Sequence, residues 1–167
     1  MSVEYTRGVL LVHSAPASLC PHIEWALSGI LDERIELDWD EQPAAPGMFR
    51  AELTWSAPQG TGSLLASAIR GWAHLRYEVT EEASRGVDAS RWSHTPELGI
   101  FHAHTDAMGN VVVGEDRIRY AYQKSGGDGA AMCAELSLAL GEAWDDELEP
   151  FRYAGDGAPV RWLHQVS

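Results

Sequence analysis

A chain of 167 residues can bury about 70% of the surface that its unfolded form exposes, so disulfides are not needed to hold it together. With 25 acidic residues against 12 basic ones the formal net charge is −13, and no run of Lys or Arg interrupts it, which argues against nucleic acid or an anionic membrane as partners. No apolar stretch approaches the ~20 residues of a membrane span, the first residues lack the basic region of a signal peptide, and the two cysteines fall on apolar stripes, so the expectation is a cytoplasmic protein of one domain over residues 1–167.

The run Gly8-Val9-Leu10-Leu11-Val12-His13 is too short for a helix and suits a strand covered on both faces. After a turn through Ser14-Ala15-Pro16, the residues Leu19, Ile23, Ala26, Leu27, Ile30 and Leu31 recur at helical spacing. Ser18 is placed to cap this helix, and Pro21 falls in its first turn, where a missing N–H costs little. Trp25 lies off the stripe, with His22 and Gly29, so another part of the chain or a partner must cover it. The period then changes to two. Ile35, Leu37 and Trp39 alternate with Glu36, Asp38 and Asp40, which predicts a half-buried strand with an acidic outer face. A stiff turn over residues 42–47 leads to an antiparallel partner with Phe49, Ala51, Leu53 and Trp55 inward.

Residues 57–63 break that strand and open a second helix with the stripe Leu64, Leu65, Ala68, Ile69 and Trp72. A fourth strand places Leu75, Tyr77 and Val79 inside and Arg76, Glu78 and Thr80 outside. Further along, residues 91–94 read as a short strand, and 98–105 with 110–113 as a hairpin about Asp106-Ala107-Met108-Gly109. Residues 115–125 read as a helix stopped by Gly126-Gly127. Asp128 can cap a longer helix, with the stripe Cys133, Leu136, Leu140, Ala143 and Trp144, that Pro150 ends. Its acidic end, Asp145-Asp146-Glu147-Leu148-Glu149, sits where the helix dipole disfavours negative charge, so the expectation is either compensation by Arg152 and Arg161 or a solvated, partner-facing surface. A last strand covers 160–166. The fold class expected is therefore α+β: a ferredoxin-like βαββαβ half over residues 6–81, extended over 82–167 by a β-hairpin, two helices and a C-terminal strand.

Four groups of residues could carry chemistry or contacts. His102, His104 and Asp106 alternate along a strand, so two imidazoles and a carboxylate share a face and suit a divalent transition metal; the alternative is a solvated hairpin strand. Gly60, Thr61, Gly62 and Ser63 open a helix whose free N–H groups could cradle an anion, although the loop matches neither a P-loop nor a dinucleotide fingerprint. His13, Ser14, Cys20 and His22 surround the first strand-to-helix turn, where a thiol beside an imidazole could be activated, but Cys20 falls on the inward stripe. His22 and Trp25 mark the helix side that a partner would cover.

Several strings taken together carry a resemblance: His13-Ser14-Ala15-Pro16, Cys20-Pro21-His22-Ile23-Glu24-Trp25-Ala26, Gln42-Pro43-Ala44, Gly60-Thr61-Gly62, Leu75-Arg76-Tyr77-Glu78-Val79-Thr80-Glu81, Arg91-Trp92-Ser93-His94-Thr95-Pro96 and Ala143-Trp144-Asp145. Over nearly the whole chain the sequence resembles a family of uncharacterised actinobacterial proteins, domain of unknown function 3145. The resemblance implies a bacterial cytoplasmic origin and a link to fatty-acid synthesis, and it brings no activity, ligand or catalytic residue to transfer.

Two functional expectations follow. The first is a non-catalytic cytoplasmic protein-interaction or regulatory module linked to bacterial fatty-acid metabolism, with no cofactor and a protein partner, a second copy of the chain being one candidate. The second is a metal-dependent enzyme through His102, His104 and Asp106, or a binder of small anions through the loop from Gly60 to Ser63.

Overall fold

A computed structural model describes residues 2–153. The expected last strand over 160–166, and Arg161 within it, lie outside the described residues. Among the described residues seven antiparallel strands form one sheet: β1 (Tyr5–Pro16), β2 (Asp40–Glu41), β3 (Met48–Pro58), β4 (Arg76–Glu81), β5 (Ala89–Thr95), β6 (Gly99–Thr105) and β7 (Val111–Val112). The helices are α1 (Cys20–Leu31), α2 (Thr61–Ile69), α3 (Glu115–Ser125), α4 (Gly129–Leu140) and α5 (Glu142–Arg152). The fold is α+β.

The strand order is β2-β3-β1-β4-β5-β6-β7. Its first four members, with α1 and α2 packed against each other, give the ferredoxin-like arrangement that the sequence implies. β1 is apolar on both faces because it lies between β3 and β4 and carries side chains to two layers. Leu10 and Val12 join Ile23, Leu27, Leu65 and Ile69 in the core beneath α1 and α2. Tyr77 and Val79 of β4 point the same way, and the Tyr77 hydroxyl donates to the Ala66 carbonyl at 2.6 Å. Leu11 and His13 alternate onto the second face, which α5 covers. The register of β1 shifts between Val12 and Ser14 against β4 and between Val12 and Ala15 against β3, a bulge that brings His13 toward Glu78.

Several sequence expectations are corrected. The alternation of Ile35, Leu37 and Trp39 is real, but only Asp40 and Glu41 pair with β3. The reason lies in α1. Glu24 Oε1 accepts from the Leu37 N–H (2.8 Å) and the Trp39 indole (3.0 Å), and Ser28 Oγ accepts from the Ile35 N–H (2.9 Å), so helix side chains take donors that a ladder would use. Second, the long helix is two helices. Gly141 is left-handed at φ 73° between α4 and α5, and the Phe101 ring stands within 2.6 Å of where a Cβ would sit. Among the described residues three helices thus follow the hairpin, and Pro150 lies inside α5. The break also places Glu142 and Asp145 in the first turn of α5, where the helix dipole favours them. Third, Glu78 is fully buried, because α5 lies across the face that the sequence leaves to solvent. Fourth, Ser18 falls in a 3₁₀ turn (Ala17–Leu19) and α1 begins without a side-chain cap, while Cys133 is exposed.

Candidate functional site

The loop from Gly60 to Ser63 does bind an anion, and that anion belongs to the chain. Gly60 takes φ 88° and ends the turn from β3, which points the first N–H groups of α2 at the end of β4. The N–H groups of Gly60 and Gly62 donate to Glu81 Oε1 (2.8 Å) and Oε2 (2.7 Å), while the Thr61 hydroxyl turns back to the Pro58 carbonyl (2.7 Å) and Ser63 faces solvent. Gly62 has no room for a side chain: a Cβ would lie 2.7 Å from Glu81 Oε2 and 2.8 Å from the Trp92 ring. A carboxylate from β4 thus occupies the position that sequence reasoning offers to a ligand.

His102 and His104 share one face of β6, as their spacing requires, with their rings edge to face at 5.2 Å. Ser90 Oγ lies between them, 3.2 Å from His102 Nε2 and 3.4 Å from His104 Nδ1, and Trp92 stacks on His102 at 4.9 Å. Partial desolvation, then the neighbouring His104, holds the His102 imidazole below the ordinary histidine range. Asp106 does not join them. Its carboxylate accepts from the Met108 N–H (2.8 Å), the Asn110 N–H (2.9 Å) and the Asn110 amide (3.0 Å), which closes the hairpin turn. Among the described residues no group of three or more His, Cys, Asp or Glu is placed to hold a metal.

Around the first turn, burial and then Glu24 push the Cys20 thiol upward, and its Sγ approaches the Pro16 carbonyl at 3.6 Å, so the arrangement disfavours the thiolate that a nucleophile needs. His13 points away from it to the second face of the sheet. His22 and Trp25 stand on the outer side of α1. Trp25 is 79% exposed, and the His22 ring lies 6.5 Å from the half-buried Trp72.

Sequence reasoning misses the strongest electrostatic feature, which lies beneath α5. Glu78 accepts from His13 Nε2 (2.7 Å), from Ser93 Oγ (3.1 Å) and from two nitrogens of Arg152. Arg152 also reaches Asp145 at 2.8 Å, and Gln42 Nε2 donates to the carbonyls of His13 (2.7 Å) and Phe151 (3.3 Å). Burial alone would push the Glu78 carboxyl up. The hydrogen bond and positive charge of His13, then those of Arg152, outweigh burial and hold it at about 2. Such a group stays ionised at neutral pH and moves no proton there, so its chemistry is that of a fixed charge clamping α5 to the sheet. His13 ending an apolar run is the one sequence signal that points to it, because an imidazole in such a place needs a partner.

A family model described as a protein of unknown function (DUF3145) matches residues 9–165. No curated protein and no solved structure matches the chain.

Proposed function

The chain belongs to this family of proteins of unknown function, and from that premise we propose that it is a non-catalytic protein-interaction or regulatory module of the bacterial cytoplasm, linked to fatty-acid metabolism, that docks a partner on the outer side of α1. Trp25 carries the reading. An indole left 79% exposed forfeits a large apolar burial, and Trp is the residue type most enriched at the energetic centres of interfaces. His22 and Gly29 flank it, and the glycine has nothing within 4 Å of a built Cβ, so the surface beside the indole is open. Glu24 and Ser28 of the same helix hold Leu37, Trp39 and Ile35, and Glu36 and Asp38 of that segment face solvent. The partner surface that fits is an apolar slot rimmed by basic side chains, in keeping with the net charge of −13. No helix is long and apolar enough to cross a membrane among the described residues.

The test is a photo-crosslinking amino acid at position 25, used in host cytosol. One recurrent adduct with a different protein is expected. Affinity of the isolated pair should fall by ~30-fold in Trp25→Ala, the loss typical of a central interface Trp, and should weaken with added salt. Adducts formed only between copies of the chain, or an affinity indifferent to Trp25→Ala, would remove the reading.

A further inference from the structure

Helix α4 is apolar in nine of its twelve residues, spread over every side, and Glu135 is its one charge. A helix of that composition is ordinarily enclosed. Among the described residues nothing encloses it: no residue of α4 is buried, and α3 buries Ala121 alone. The similarly apolar α1 and α2 behave otherwise, burying Ile23 and Leu27, and Leu65, Ala66 and Ile69. Lys124 reaches Glu135 at 2.5 Å, and Arg117 borders the same hollow as Leu138 and Ala139, so α3 and α4 run antiparallel as a hairpin. Ile118, Tyr122 (71% exposed) and Leu138 (48% exposed) stand on its surface. Helices this short take their stability from packing, so the arm lacks a cover.

The charge of the arm says what the cover is. Residues 115–140 carry four acids and three bases, and Glu115 with Arg119 and Glu135 with Lys124 pair at 2.5 Å each. The arm is thus close to neutral on a chain of −13. A basic protein drawn by that net charge gains nothing here, whereas two copies repel each other least where each is neutral. Two such hairpins set face to face also complete a four-helix bundle, in which paired helices enclose an apolar centre.

We propose that the α3–α4 arm is a self-association surface, on which a second copy of this chain docks across a twofold axis. Two helices of 11 and 12 residues, each ~10 Å across, offer a face of roughly 17 by 20 Å. That falls short of the ~800 Å² per partner of a standard interface, so the dimer is weak, with a dissociation constant in the micromolar range. The arm shares no residue with the Trp25 surface, and the two readings fail separately.

The test is sedimentation velocity on the full chain from ~1 to ~500 µM, with hydrogen exchange beside it. A reversible dimer is expected, weakened about tenfold or more by Ile118→Glu and by Leu138→Glu, which place a charge in the apolar contact. Both positions are exposed in the single chain, so folding is spared. Added salt should tighten the dimer by screening the repulsion between two acidic copies, the opposite of its effect on the Trp25 complex. A chain monomeric at every concentration, or a dimer that both variants leave intact, would overturn the proposal. Protection of the α4 amides in a chain that stays monomeric would assign the cover to residues 154–167 and overturn it equally.

Discussion

Glu78 and Arg152 stand 74 residues apart in sequence and meet as a two-point ion pair between β4 and α5, with Nε to Oε2 at 3.0 Å. Glu78 is fully buried and Arg152 is 4% exposed, so each holds the other's charge out of water. Either residue alone would be an expensive buried ion.

Breaking the pair should therefore cost far more than replacing it. Glu78→Leu or Arg152→Met alone is expected to lose ~3–5 kcal/mol, and the double variant much less than the sum, because an apolar pair of similar volume removes both desolvation penalties. Asp145 would keep Arg91 as its neighbour in the double variant. Urea unfolding of the four proteins measures the coupling. Additive losses would mean that the two charges act independently.

The same carboxylate fixes a pH dependence. Its pKa drops from an ordinary value of 4.5 to about 2 on folding, so the native state binds fewer protons than the unfolded state between those values. The stabilisation is complete above pH 4.5 and is lost as pH falls toward 2, amounting to roughly 3 kcal/mol at ~1.4 kcal/mol per pKa step. His13, Ser93 and Arg152 face Glu78 directly, with Asp145 behind Arg152. Unfolding free energies of the wild type and Glu78→Gln, measured from pH 6 to pH 3, should converge as the pH falls. Parallel curves would mean that Glu78 titrates normally.

What the sequence revealed and what it hid divide along a physical line. Ile23, Leu27, Leu65 and Ile69 are buried where their spacing places them, and the first four strands take the expected order, because local periodicity encodes which face is apolar. Glu78 has the same alternation as an exposed residue would, and nothing local says that α5 returns to cover it. Asp106 satisfies the spacing of a ligand and is spent on a turn, while Gly60 and Gly62 satisfy the pattern of an anion cradle and receive Glu81. Spacing specifies a face. It does not specify what the rest of the chain delivers to that face.

Gly141 was equally visible, but an isolated glycine inside an apolar stripe is compatible with a continuous helix. Its φ of 73° and the Phe101 ring beside it predict that Gly141→Ala suffers twice, from the left-handed backbone and from the clash. Gly126 is the comparison, left-handed at φ 59° with open space where a Cβ would go. Gly126→Ala should cost about 1 kcal/mol, and Gly141→Ala roughly 2–4 kcal/mol, with Trp144 fluorescence reporting the loss because that indole packs on Phe101 at 5.2 Å. Equal losses at the two positions would show that Phe101 yields freely.

The Glu81 clamp offers the last test, since its removal should turn an internal contact into an external site. In Glu81→Ala the N–H groups of Gly60 and Gly62 lose their acceptor while remaining at the start of α2. The variant is expected to lose ~1–3 kcal/mol, the cost of leaving buried donors unmatched. Sulfate should then restore part of that stability in a saturable way, raising the melting temperature of Glu81→Ala more than that of the wild type at equal ionic strength. A sulfate response identical in the two proteins would mean that the loop does not hold its shape without Glu81, and that the carboxylate builds the cradle as well as filling it.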